Sequence, residues 1–485
     1  MTLAPALPTP ERDRPWIGWV AIVVFAIAST AMNIMSDGFL EADGVYHYLY
    51  ARYAFEVPAY FTDVWGRPVR TLVYCIPAQL GDLKGVRAMS LLLAIAIALV
   101  ARRIAIDLKL PLPTLVILLT LAQPLVFLHT LAELTELPFA LLLAGAFCCF
   151  VRRWWCAMAI LVGLLPLSRP EGFGFVMLAL VALGWYRRPW WIVWLVVPFF
   201  VWSYFGWVFF GRPPETPWWR WVIDHWPYSG QSAYQPGHLL KYVAMLPMVV
   251  GPAMFPATLA GIWRLGFTAR DRSIDAHLRL SRRLVVVIPM LILVGHSILH
   301  WRALMASSGE VRYLLIVAPF WSILGAVGWV WIFRRFRLPQ PQVIAAALAF
   351  SWAIVNLHWR IIPLKPEPDW IEASRLAQFY QTQLQPTHPI ILANHPGIVF
   401  HLQRSPIDVM RANIEHPPAG AVFIWDQMFS MHNADSRRII PPDVPPQHGW
   451  TELPDAPFAR AGWRVFITNG SATENTEGTE EKSHR

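Results

Sequence analysis

Long apolar runs dominate the chain, and polar residues are confined to shorter stretches between them. The runs cover 16–35, 86–101, 113–130, 137–151, 155–168, 172–186, 190–210, 242–263, 284–301, 314–333 and 342–358. A hydrocarbon layer of about 30 Å takes roughly 17–25 helical residues per crossing. The pattern therefore predicts a polytopic α-helical membrane protein with about eleven transmembrane helices. The shorter runs are expected as tilted interior helices or as arms of re-entrant hairpins.

The period changes after Pro363. "EPDWIEASRLAQFYQTQL" spaces its apolar residues as an amphipathic helix, while "PIILAN", "GIVFHL", "GAVFIWD" and "WRVFITN" read as short strands. Residues 363–470 are expected to form a small α/β domain, and 471–485 a disordered tail with too little apolar content to fold.

Composition sharpens this. Of 485 residues, 56% are hydrophobic and 15% charged, with 26 Trp and 27 Phe. That leaves too little polar surface to cover the apolar side chains in water, which excludes a soluble globular, disordered or collagen-like chain. The net charge of +9 is spread along short loops, so nucleic acid is not an expected partner. The four cysteines show neither metal spacing nor a disulfide framework.

Charge also sets the expected orientation. With residues 1–15 in the cytoplasm, alternate loops collect Arg102, Arg103, Arg152, Arg153, Arg187, Arg188, Arg334 and Arg335. About eighteen basic residues then lie inside against about ten outside, the positive-inside pattern. The outside segments become 36–85, 130–136, 168–172, 211–241, 302–313 and everything after 362. Residues 16–362 form the membrane domain, 36–85 being its first outside loop.

Candidate chemistry gathers in those outside segments. In "EADGVYHYLYARYAF" a helix from Asp43 to Phe55 would align Asp43, Tyr46, His47, Tyr50 and Tyr53 on one face. Such an aromatic stripe headed by a carboxylate suits a sugar or lipid head group, or else an interfacial anchor capped by Asp43. Glu41 competes with Asp43 for a catalytic role. Glu133 and Glu136 in "ELTELPF" lie where a span enters the membrane, a costly place for a carboxylate unless it is paired or functional. Arg169 and Glu171 occupy the short turn "SRPEG", and Arg312 stands before a span in "GEVRYLL". Arginine at such a place suits a phosphate, because its planar fork matches phosphate oxygens.

These segments, in this order, resemble the GT-C class of integral-membrane glycosyltransferases. "EADGVYHYLYARYAF…DVWGRP", "ELTELPFALLL", "SRPEGFGF" and "GEVRYLLIVAPF" look like parts of bacterial transferases related to the protein mannosyltransferase and aminoarabinose transferase group. The similarity covers roughly 16–358 and leaves the C-terminal domain unmatched. It implies an inverting transfer of a sugar from a polyprenyl-phosphate donor to a hydroxyl of a glycan, lipid or protein acceptor, on the outer face of a bacterial plasma membrane. The implied roles are general base for Asp43, with Glu41 and Glu136 as further acids, and donor phosphate binding for Arg169 and Arg312. Tyr46, His47, Tyr50, Glu133 and Glu171 are expected to contact substrate. Family relatives have two adjacent acids, whereas Ala42 separates Glu41 from Asp43 here. No cofactor is firmly implied. A divalent metal on Asp43 with Glu133 or Glu136 is possible for such enzymes. The competing reading is a transporter or flippase for lipids or lipid-linked sugars.

Overall fold

The computed structural model describes residues 13–228, 234–267, 274–336, 362–410, 414–431, 440–454 and 462–468. The expected span at 342–358 and the tail at 471–485 lie outside the described residues. The first run forms α1 (Pro15–Met35), with proline at its start where a missing N–H costs nothing. The segment 36–85, expected as the first outside loop, then contains α2 (Ala42–Tyr53) and the front half of α3 (Pro68–Asp107). The run at 86–101 is thus the rear half of a 40-residue helix, bent where Gly81 and Asp82 leave helical geometry. Gly85 permits the bend, since a β-carbon there would run into the Pro77 carbonyl.

The run at 113–130 is not one helix. It divides into α4 (Pro113–Leu121) and α5 (Pro124–His129), because Pro124 forces Gln123 into extended geometry. There follow α6 (Glu136–Val151), α7 (Trp155–Leu164), α8 (Gly172–Trp185), α9 (Ile192–Phe209) and the single turn α10 (Trp221–Asp224). The run at 242–263 is also broken. It forms α11 (Lys241–Val250) and α12 (Met254–Gly266), which meet at 109° about Gly251. Gly251 has φ 94°, a backbone setting that favours glycine. The last two long helices are α13 (Ala276–Trp301) and α14 (Ala318–Phe336), the latter preceded by a 3₁₀ segment from Val311 to Val317.

Five helices among the described residues are long and apolar enough to cross a membrane, or six if α11 and α12 form one broken span. The remaining apolar helices α6, α7 and α8 have only 10–17 residues. The described part therefore does not reach eleven full-length spans. The chain is an integral membrane protein. Its centre is α14, whose Phe320, Trp321, Ile323 and Leu324 are wholly buried. α12 crosses α14 at Gly261 and Gly328, where side chains would collide with the Leu324 and Ala257 carbonyls. Small residues at such crossings let membrane helices approach closely.

The C-terminal part carries a four-stranded sheet of order β1-β2-β4-β3: β1 (Ile390–Ala393), β2 (Ala421–Asp426), β3 (Trp450–Glu452) and β4 (Trp463–Thr468). β1 and β2 are parallel and the other pairs antiparallel. The helix foreseen after Pro366 is present at Pro368–Phe379. "GIVFHL" is helical, not a strand. Pro396 occupies the first turn and the His395 ring accepts a hydrogen bond from Gly397 N–H, starting a helix that buries Ile398, Val399 and Leu402.

This domain docks on the segment between α1 and α3. The Asp37 and Gly38 amides both donate to Leu364 O at 3.0 Å. Tyr60 pairs with Ser405 at 2.8 Å, and Phe39 packs on Trp370 and Phe400.

Candidate active site

All five outside segments expected within the membrane domain meet in one cleft of about 220 Å³. Asp43, His47, Trp65 and Arg67 come from the first loop, Thr135 from the second and Arg169 and Glu171 from the third. Tyr228 comes from the loop after α10, and Ser307, Arg312 and Tyr313 from the segment before α14.

The wall nearest α2 is built from its first turn. Glu41 is the N-cap residue and Asp43 sits in the first turn, where the helix dipole favours a negative charge. Both carboxylates reach Arg312, Glu41 at 2.6 Å and Asp43 at 2.9 Å. Arg312 also approaches Glu136 at 3.8 Å. Burial pushes the Glu41 carboxyl up to about 8; Arg312 pulls it down, and the neighbouring Glu310, Glu136 and Asp43 add to the rise.

A second arginine continues the chain of charges. Arg169 bonds Glu136 at 2.6 Å, Thr135 at 2.9 Å and Glu171 at 2.9 Å. His296 of α13 lies 3.2 Å from Glu171. The Tyr313 ring lies 5.2 Å from the Arg169 guanidinium and 5.8 Å from that of Arg312. Four carboxylates and two arginines thus form one connected network on the cleft floor.

The aromatic stripe is placed as predicted along α2 but faces protein more than open cleft. Tyr50 stacks on Tyr60 at 4.4 Å, and Tyr46 donates its hydroxyl to Asn394 O at 2.6 Å. His47 stacks on Trp65 at 4.7 Å and lines the cleft. Burial and the nearby Arg70 hold its imidazole well below the usual range, so it is neutral. Glu133 lies apart from the cleft. It is fully buried and bonds Arg87 at 2.7 Å, while its backbone carbonyl accepts from Arg70. Arg70 also donates to the His47 carbonyl, which ties α2 to the second loop.

Arg67 was not singled out in the sequence. It is 2% exposed and lies in an aromatic setting, 5.4 Å from the Trp226 ring and 5.2 Å from the Tyr228 ring. Nη2 donates to the Tyr228 hydroxyl at 2.7 Å, while Nη1 has no partner. Arg67 makes no ion pair among the described residues, unlike Arg169 and Arg312. Its φ of 65° is unusual for a residue with a side chain and is held by the start of α3 at Pro68. The one signal in the sequence was arginine before proline inside "DVWGRP".

A metal does not fit these acids as they stand. Glu41, Asp43 and Glu136 converge on the Arg312 guanidinium, which would repel a cation, and Glu133 is committed to Arg87. Among the described residues no three His, Cys, Asp or Glu are grouped to hold a metal ion.

No protein-family model matches the chain. No curated protein matches it either. Solved structures do. The crystal structure of ArnT from Cupriavidus metallidurans bound to undecaprenyl phosphate superposes with a TM-score of 0.61 at 15% identity, covering 93% of this chain and 97% of that one. The apo form of the same ArnT gives 0.61 and 15%, covering 94% and 98%. The similarity includes the C-terminal domain, which the sequence left unmatched. ArnT is an aminoarabinose transferase of the GT-C class, and this chain has its fold.

Proposed function

We propose that the chain is an inverting glycosyltransferase that takes a sugar from a polyprenyl-phosphate carrier and passes it to an acceptor hydroxyl. The observation that carries this reading is the juxtaposition, in one cleft, of the Asp43 carboxylate with Arg67, a buried arginine that has no carboxylate partner. A buried cation of that kind is stabilised by an incoming anion. A carboxylate beside it can accept a proton from a bound hydroxyl. The ArnT structure bound to undecaprenyl phosphate supports a lipid phosphate as that anion.

In the proposed step the acceptor oxygen forms a bond to the anomeric carbon and its proton passes to Asp43. The bond from that carbon to the phosphate oxygen breaks, and the electron pair leaves with the polyprenyl phosphate. A single displacement of this kind inverts the anomeric centre. Arg67 and Arg312 bind the leaving phosphate as its charge grows, which lowers the barrier most if they are already in place. Arg312 also holds Asp43 in position. Arg169 organises Glu136 and Glu171 and so supports the floor. Glu41, with its carboxyl pushed up to about 8, is largely protonated at neutral pH and is the poorer base.

The positive-inside pattern supports an orientation with the cleft on the extracytoplasmic face of the membrane, residues 1–15 inside and 363–470 outside, and the proposed membrane is a bacterial plasma membrane. The test is to incubate the purified protein with polyprenyl-phosphate sugars and measure free polyprenyl phosphate. Release is expected from at least one donor. Movement of an intact donor across the bilayer without cleavage would favour a flippase.

A further inference from the structure

The C-terminal domain reaches the helix that carries Asp43. Tyr46, one turn along α2 from Asp43, donates its hydroxyl to Asn394 O at 2.6 Å. Tyr48 of the same helix packs on Phe400, with ring centroids 5.8 Å apart. Asn394 lies one residue beyond the β1–β2 ladder, whose last pair is Ala393 with Ile424. The ladder therefore does not aim this carbonyl. The next residue does, because Asn394 O shares a peptide plane with the His395 nitrogen.

His395 is 1% exposed, and its ring is anchored. Nδ1 accepts from the Gly397 amide at 3.0 Å, which leaves the ring proton on Nε2, facing Asp369 Oδ2 at 3.7 Å. Trp370, Phe429 and Trp463 surround the ring at centroid distances of 4.8–5.3 Å. Pro396 keeps ψ of His395 extended, at 120°, but leaves φ a broad range. Rotation about φ turns the Asn394–His395 peptide relative to the ring. The anchored ring, capping the helix Pro396–Leu402, thus sets the direction of the Asn394 carbonyl that Tyr46 meets.

We infer that His395 is a positioning residue for the transfer step. It aims the Asn394 carbonyl, which fixes Tyr46 and, one turn away, Asp43. This rests on the glycosyltransferase reading with Asp43 as base. The C-terminal domain is then a working part of the catalytic centre, although the residues lining the cleft all come from the membrane domain.

His395→Asn and His395→Gln separate positioning from packing. Asparagine puts its Oδ1 where Nδ1 stands and keeps the cap, whereas the longer glutamine places its amide near the Nε2 position and leaves the Gly397 amide unmet. The measurement is release of free undecaprenyl phosphate from an undecaprenyl-phosphate sugar that wild type turns over. His395→Gln is expected to lower kcat about 10-fold with donor KM within about 2-fold, because a displaced base slows the step without loosening the donor. His395→Asn is expected to stay within about 2-fold of wild type in both, since its cap is kept. In a Tyr46→Phe background, itself lowered in kcat, His395→Gln should cost less than about 2-fold more, because both changes act through one bond. If His395→Gln does not fold, Gly397→Ala takes its place in the cycle, since a β-carbon there would lie 2.9 Å from Nδ1. If wild type turns over and His395→Gln keeps its kcat, the inference fails and the functional reading stands. An equal loss in His395→Asn, or a full loss on top of Tyr46→Phe, would also overturn it. If wild type releases nothing from any donor, the functional reading fails and this inference with it.

Discussion

Arg312 Nη2 donates to Asp43 Oδ2 at 2.9 Å across 269 residues of sequence. The pair joins α2, which follows the first long helix, to the segment that enters α14. The same guanidinium holds Glu41 at 2.6 Å, so one side chain sets the position of both acids of the "EAD" segment.

Arg312→Lys keeps the charge but loses the fork. It is expected to leave folding largely intact and to lower turnover by about 10-fold or more, since a point charge cannot hold Glu41 and Asp43 together and meet a phosphate. Arg312→Ala removes the partner of Asp43, which is itself half exposed, and is expected to destabilise by about 1–3 kcal/mol, the cost of losing a charge-assisted hydrogen bond. Thermal unfolding in detergent beside steady-state kinetics separates the two effects.

Arg67 makes a different prediction. Arg67→Gln removes a buried cation that has no carboxylate partner, so stability is expected to hold or rise slightly. Inhibition by undecaprenyl phosphate is expected to weaken about 10- to 100-fold, the worth of a charge-assisted contact to phosphate. Unchanged inhibition with unchanged KM would assign Arg67 to packing against Trp226 and Tyr228.

The raised pKa of Glu41 gives a pH signature. Its carboxyl titrates at about 8 in the folded protein against 4.5 ordinarily, so the folded state binds the proton more tightly. That contribution to stability is complete below about pH 4.5 and is lost as pH rises towards 8. Glu41→Gln, which mimics the protonated form, should therefore gain stability relative to wild type as pH is raised from 5 to 9. Melting curves over that range check it, and a constant difference would contradict it.

Docking of the C-terminal domain is also testable. Tyr46→Phe deletes the hydroxyl that bonds Asn394 O at 2.6 Å and is expected to cost about 0.5–1.5 kcal/mol. Because Tyr46 lies one turn from Asp43 on α2, turnover should fall with little change in donor KM. A stability loss with unaltered turnover would make the contact purely structural.

Much of the site was legible because it is local. The spacing of Asp43, Tyr46, His47 and Tyr50 places α2 and its register, and "SRPEG" marks the turn that supplies Arg169 and Glu171. Other features depend on partners far along the chain. Glu133 reads like an acid of the site, yet Arg87, 46 residues away, engages it in a buried pair. His296 lies within an apolar run and becomes part of the cleft only because α13 packs beside Tyr313. Arg67 owes its burial to Trp226 and Tyr228 from the loop after α10, which no local pattern announces. Hydropathy finds apolar runs but not their breaks. Gln123–Pro124 and Gly251 divide two predicted spans through backbone geometry, and Pro396 with His395 turns an expected strand into a helix.

The central claim is that Asp43 takes the acceptor proton during transfer from a polyprenyl phosphate. The most direct measurement is release of undecaprenyl phosphate from a donor that wild type turns over, compared in Asp43→Asn and Glu41→Gln at saturating donor. Asp43→Asn is expected to fall by on the order of 10² or more, the usual worth of general-base assistance, with donor affinity kept, and Glu41→Gln by much less. Full activity in Asp43→Asn, or the larger loss in Glu41→Gln, would contradict the account.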